Sequence, residues 1–167
     1  GYAGLIKGEI KRLESRSVSN MIHKGGTFLN TARCDEFKDV EVQRQAVEAL
    51  SAYGIEGLVV IGGDGTLRGT YDIGEEIKKR GLKIATVGVP KTIDNDLSFI
   101  DSSFGFDTAV ASAVPSVRGA HVEAKASING IGLVKVMGRE SGYIAAHTSL
   151  AQSDVNFCLI PESPFDL

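Results

Sequence analysis

In VPKTIDNDL (89–97), Asp94 and Asp96 flank a single asparagine, with Lys91 and Thr92 just ahead, behind the apolar run KIATVGV. Two carboxylates this close repel each other unless something neutralises them. Near a metal-bound phosphoryl group, an aspartate can accept the proton of an attacking hydroxyl, while Lys91 and Thr92 steady the anion in transfer. The bland alternative is an Asx-type turn capping a helix, which Asp-Asn-Asp often supplies. A second stretch, VVIGGDGTLRGT (59–70), points the same way. Gly62, Gly63 and Gly65 remove side chains where backbone N–H groups could approach phosphate oxygens, ahead of a helix start that favours anions. Asp64 in their midst repels a phosphate, and a divalent cation between the two reconciles them. No GKS or GKT follows, so the stretch is not a Walker A loop. VMGRESG (136–142) adds Arg139 behind a third apolar run, available to an anionic substrate group.

Such residues need a scaffold that gathers them at one end. The runs 57–63, 83–89, 131–137 and 155–160 are short and apolar, mostly without alternation, which predicts parallel strands buried on both faces. Between them lie helical patterns. Val42, Ala46, Val47 and Leu50 recur at helical spacing in 39–53, before Gly54. Residues 66–80 end in Lys78, Lys79 and Arg80, the sign of charge that a helix C-terminus prefers. Residues 106–127 read as helix that Pro115 should kink or interrupt, and 141–152 as a shorter one. Repeated βα units predict an α/β fold: an open, doubly wound, mainly parallel sheet with helices on both faces. Ligands in such sheets bind beyond the carboxyl ends of the strands.

Composition narrows the classes. The 167 residues fit one domain with a sizeable core. Glycine accounts for 20 of them, well above the typical ~7 %, which suits tight turns and close backbone approach to a ligand. A net charge of −3 without a Lys/Arg block argues against nucleic-acid binding. No apolar run approaches a membrane span. Cys34 and Cys158 form no CxxC pair, which fits a reducing, cytoplasmic compartment. His23, His121 and His147 lack ligand-spaced partners and read as packing or surface residues.

Taken together, GYAGL, GGTFLNTAR, VVIGGDGT, PKTIDNDL, GFDTAV, VKVMGRESGYIAA and LIPE resemble the 6-phosphofructokinases in order and spacing. The family phosphorylates the 1-hydroxyl of fructose 6-phosphate. The resemblance implies that Asp94 is the proton acceptor, supported by Asp96, and that Asp64 holds Mg²⁺. It further implies that Arg33, Cys34, Gly63, Asp64, Gly65 and Thr66 line the nucleotide. Thr92, Ile93, Asp94, Met137, Gly138 and Arg139 would hold the sugar phosphate. Gly65 with Lys91 resembles the plant and protist ATP-dependent branch, whereas aspartate with lysine at these positions marks pyrophosphate-dependent members. Gly65, and Gly69 nearby, leave room for an α-phosphate, so ATP is the expected donor and pyrophosphate the alternative. Glu162 matches an effector-site glutamate of bacterial members, but Ser15 stands where a basic effector ligand is expected. The comparison also implies that 1–167 is a single partial domain, lacking the first strand with its phosphate loop and the C-terminal half. The isolated chain is then expected to bind nucleotide without turnover, and the full enzyme to be a homo-oligomer, a tetramer or dimer. Two other readings remain open: another kinase sharing GGDGT, of NAD-kinase or lipid-kinase type, and an inactive fragment or binding module.

Overall fold

A computed structural model describes residues 1–166. Five helices and two strands organise it: α1 (Tyr2–Ile6), α2 (Val40–Ala52), β1 (Gly57–Gly62), α3 (Asp64–Lys79), β2 (Ala85–Pro90), α4 (Phe106–Ala126) and α5 (Tyr143–Ala151). The strands pair side by side. Ala85 N–H donates to the Glu56 carbonyl at 2.9 Å, and Lys91 N–H to the Gly62 carbonyl at 2.8 Å. Both pairs have the same sequence offset, which is the register of a parallel pair. Helix α3 is the connection between the strands, making a βαβ unit.

By its contacts the chain divides into two compact units. One contains 1–60 and 65–88; the other contains 61–64 and the described residues from 89 onward. In the first unit, Asp39 caps α2 by accepting the Glu41 N–H at 2.8 Å. Gln43, Ala46, Val47 and Leu50 then fall on one buried stripe. Helix α3 answers with Gly69, Thr70, Ile73, Glu76 and Ile77. Val47 and Ile73 are wholly enclosed in a core shared with Phe37, Ala46, Leu50 and Ile77. Each such side chain contributes about 1.5–3 kcal/mol by leaving water. Over this core, Glu76 accepts from Arg80 at 2.7 Å and faces Arg44 at 3.6 Å, while Arg80 also reaches Glu48 at 3.0 Å. The hydrogen bond from Arg80 holds the Glu76 carboxyl below the ordinary glutamate range.

In the second unit, α4 and α5 pack together. Phe106 and Ile144 are buried, and Phe106 meets Tyr143 and His147 edge-on, with centroids 6.2 and 4.9 Å apart.

Three expectations need correction. The runs 131–137 and 155–160 are not strands. A strand exists by its ladder, and among the described residues these runs have no backbone partner across a sheet; Ile131, Leu133 and Phe157 are largely exposed. Nor are β1 and β2 buried on both faces: Val59, Ile61 and Val87 are each more than half exposed. Of the kink or interruption expected at Pro115, the interruption is absent: α4 runs unbroken from Phe106 to Ala126, because the hydrogen bonds on either side of the missing Pro115 N–H carry the helix across it.

Candidate active site

The GGDG loop and the TIDND loop leave adjacent parallel strands at their carboxyl ends. Gly62, the last residue of β1, accepts from Lys91, the first residue beyond β2. A Cβ added to Gly63 would meet Thr92 Cβ at an ordinary 3.6 Å. Helix α3 begins two residues earlier than the sequence predicts, so Asp64, Gly65 and Thr66 form its first turn. Their N–H groups have no partner within the helix, and the helix dipole adds positive character there. Asp64 is exposed, and space is open where a Gly65 Cβ would stand.

Gly69 is different. A Cβ there would fall 2.9 Å from the ring of Tyr2, which stacks on Phe37 at 4.0 Å. Tyr2 donates its hydroxyl to the Thr66 carbonyl and lies near the Thr70 hydroxyl. Burial, and to a lesser degree the charge of Asp72, pushes the Tyr2 phenol up, so it remains a donor. The room expected over Gly69 is therefore occupied by an aromatic ring. Cys34 packs partly against the same core, whereas Arg33 is exposed.

The second loop is organised around a residue that the sequence reading passed over. Asn95 is only 6 % exposed and left-handed, with φ 52°. Its amide donates to the Asp101 carbonyl at 3.1 Å, and its carbonyl oxygen accepts the Ser103 N–H at 2.8 Å and the Ser103 hydroxyl at 3.1 Å. The same hydroxyl lies within hydrogen-bonding distance of the Thr92 carbonyl, 2.5 Å away. Asp94 N–H meets Thr92 Oγ1 at 3.2 Å, and the Asp94 carbonyl accepts from the Ser141 hydroxyl at 2.7 Å. One carboxylate oxygen of Asp94, Oδ1, is buried with no hydrogen-bond partner. Asp96 and Lys91 are exposed, and Ile93 packs under Gly105. Asn95 and Ser103 shape the loop on which Asp94 sits, and Thr92 and Ser141 are the residues whose hydroxyls bond to the Asp94 backbone. The signal available for Asn95 was its type, since asparagine is among the few residues that accept a left-handed backbone.

Met137, Gly138 and Arg139 form the third predicted group. Gly138 is buried at φ 139°, and Arg139 sits at φ 55° with an exposed side chain. The Ser141 N–H closes this turn on the Gly138 carbonyl at 2.8 Å, and Met137 is 71 % exposed. Ser141 brings this turn to the Asp94 loop within the second unit. Gly63, Asp64, Lys91 through Asp94, Asp96 and Met137 through Arg139 all belong to that unit, whereas Arg33, Cys34, Gly65 and Thr66 belong to the first. Glu162 is engaged as well, accepting the Gly142 N–H at 2.8 Å where α5 begins.

Among the described residues no three His, Cys, Asp or Glu side chains cluster as metal ligands. Mg²⁺ is commonly held by one or two carboxylates and completes its shell with water and phosphate oxygens. Exposed and without a recorded hydrogen-bond or ion-pair partner, Asp64 fits that requirement.

A parallel βαβ unit with glycine-rich and acidic loops at its carboxyl edge defines an α/β protein, the class whose ligands bind beyond the carboxyl ends of the strands. The family model for phosphofructokinase matches residues 1–167. The chain belongs to the phosphofructokinase family. It is 52 % identical over 170 residues to the ATP-dependent 6-phosphofructokinase of Borreliella burgdorferi, covering all of this chain and 37 % of that protein. It is 49 % identical over 167 residues to ATP-dependent 6-phosphofructokinase 7 of Arabidopsis thaliana, covering all of this chain and 33 % of that one. Among solved structures, Pichia pastoris phosphofructokinase in the T-state superposes with TM-score 0.77 at 28 % identity, over 99 % of this chain and 20 % of that one. The pyrophosphate-dependent phosphofructokinase of Marinobacter aquaeolei gives 0.74 at 25 % identity, over 99 % and 44 %. The chain thus spans roughly a third of the length of the two curated relatives.

Proposed function

We propose that this chain carries the phosphoryl-transfer site of an ATP-dependent 6-phosphofructokinase, which moves the γ-phosphoryl of ATP to the 1-hydroxyl of fructose 6-phosphate. The observation that carries the reading is the buried, unpartnered Oδ1 of Asp94 beside the parallel-strand loop that bears Asp64. A buried acceptor with nothing to accept from is costly in a purely structural role, and it suits a group that takes the proton of a bound hydroxyl.

In this reading the proton of the sugar hydroxyl passes to the Asp94 carboxylate. The hydroxyl oxygen bonds to phosphorus, the bond to the bridging oxygen breaks, and ADP leaves. Thr92 and Ile93, with Met137, Gly138 and Arg139, hold the sugar phosphate; the exposed Arg139 offers its guanidinium to the anion. Lys91 neutralises charge on the group in transfer. The nucleotide residues implied by the family resemblance are Arg33, Cys34, Gly65 and Thr66 in the first unit and Gly63 and Asp64 in the second. Asp64 would hold Mg²⁺, which supplies charge neutralisation to the phosphates.

The choice of ATP is supported by the open space at Gly65 and by the names of the relatives. Pyrophosphate is the second reading, favoured by Lys91 and by the Marinobacter neighbour. A cytoplasmic homo-oligomer, as the family resemblance implies, completes the proposal.

The test is a coupled assay of the full-length protein containing these residues, with fructose 6-phosphate and each donor. Asp94→Ser is expected to lower kcat by about 10²–10⁴-fold with little change in KM for the sugar. Near-normal turnover in that variant would remove Asp94 from the base role, and turnover with pyrophosphate alone would reverse the choice of donor.

A further inference from the structure

The turn that presents Arg139 also reaches the loop of the base. Its closure by the Ser141 N–H on Gly138 leaves the Ser141 hydroxyl 2.7 Å from the carbonyl oxygen of Asp94. On its other side the turn is pinned where Gly142 N–H meets Glu162. A Cβ at Gly142 would collide with Glu162 and Ile160, and one at Gly138 would overlap the Ser141 carbonyl oxygen, so the path is narrowly defined. The Asp94 carboxylate, for its part, has a buried oxygen that no protein hydrogen bond orients. Where that side chain stands is therefore decided by its backbone. Two contacts hold the backbone at this residue, Thr92 Oγ1 on the N–H and Ser141 Oγ on the carbonyl.

We propose that Ser141 is a positioning residue for the transfer reaction, fixing the base relative to the anion-binding turn through its hydrogen bond to the Asp94 carbonyl. The inference rests on the phosphofructokinase reading above. Ser141 touches neither substrate nor reacting atoms; it acts through Asp94. Because the bond joins the turn of Arg139 to the loop of Asp94, it keeps the phosphate end of the sugar and its reacting hydroxyl in register with the groups that serve them. Misplacement of a reacting group by a fraction of an ångström is enough to slow such a reaction.

The experiment compares Ser141→Ala, Ser141→Thr, Asp94→Ser and the double variant Asp94→Ser/Ser141→Ala in the full-length protein. Ser141→Ala is expected to lower kcat about three- to tenfold, the worth of one intramolecular hydrogen bond, with KM for fructose 6-phosphate changed less than twofold. Ser141→Thr, which keeps the hydroxyl, is expected to return kcat to within twofold of the wild type. In the Asp94→Ser background the same alanine change is expected to have almost no effect, because the group it positions is gone. Ser149→Ala serves as control: it removes a hydroxyl of α5 bonded only to the Ala145 carbonyl, and kcat is expected to stay unchanged. If Ser141→Ala does not fold, Ser141→Cys, near-isosteric with a weak donor, carries the comparison. An unchanged kcat in Ser141→Ala, or an equal loss with and without Asp94, overturns the inference alone. A wild type inactive with both donors overturns the phosphofructokinase reading and the inference with it.

Discussion

Replacing Asn95 with alanine should open the TIDND loop while leaving the first unit intact. The side chain makes two full hydrogen bonds, to the Asp101 carbonyl and from the Ser103 N–H; the Ser103 hydroxyl has one proton and the nearer acceptor for it is the Thr92 carbonyl. At roughly 1 kcal/mol each, the loss of the two amounts to about 2 kcal/mol. The backbone adds to this, because φ is 52° and alanine in the left-handed region costs about 1 kcal/mol more than asparagine. The sum, about 3 kcal/mol, corresponds to an opening equilibrium about 10²-fold larger. The buried Ser103 N–H is the reporter, since Asn95 is its recorded acceptor. Its amide exchange, followed by mass spectrometry or NMR, is expected to quicken by up to that factor, capped by the global stability of the unit. Exchange at Leu50 and Ile77, in the core of the first unit, is expected to stay near the wild-type rate. Asn95→Gly separates the two contributions. Glycine adopts φ 52° freely, so its loop should open about fivefold less than that of the alanine variant. Ser103 exchange within threefold of the wild type in Asn95→Ala would refute the hydrogen-bond reasoning. Equal rates in the alanine and glycine variants would refute the backbone part.

Gly65→Asp meets no protein atom within 4 Å of the new Cβ, so folding should be unaffected. Use of ATP is expected to fall sharply through conflict with the α-phosphate, while pyrophosphate is spared; equal loss with both donors would argue against that geometry. Asp64→Ala should weaken the Mg²⁺ dependence of turnover, and an unchanged metal titration would count against the ligand assignment. Glu76 titrates lower in the folded chain than in the unfolded one, so its pairing stabilises fully above the ordinary glutamate pKa and fades as pH falls through the depressed folded value. Glu76→Gln is therefore expected to lower the melting temperature at pH 7 but flatten its acid decline, and identical acid slopes in the two proteins would contradict this.

How far the sequence revealed this arrangement depended on whether the information was local. Helix α2 was legible because Val42, Ala46, Val47 and Leu50 recur at helical spacing ahead of Gly54, and the last three are buried in the structure. Strands β1 and β2 were legible as short apolar runs, and their carboxyl-end loops followed from the βαβ order. The runs 131–137 and 155–160 are similarly short and apolar, but apolar character does not name a partner, and a ladder needs one. The room over Gly69 depended on Tyr2, a ring from the far end of the sequence. The polar frame of Asp94 was illegible for the same reason: Ser103 and Ser141 are ordinary serines until the fold brings them to Thr92, Asn95 and Asp94.

The separation along the chain between Asp94 and Ser141 also sets an order of events in folding. The Asn95–Ser103 contact closes a loop of 8 residues, whereas the Ser141–Asp94 contact closes one of 47. By loop-closure entropy the longer loop costs about 1.6 kcal/mol more to close, and α4 must form within it. The short loop is thus expected to be assembled while the base still lacks its second anchor. During refolding, protection of the Ser103 amide should appear first and catalytic competence later, with an intervening species that has the fold of the loop but not yet a working base.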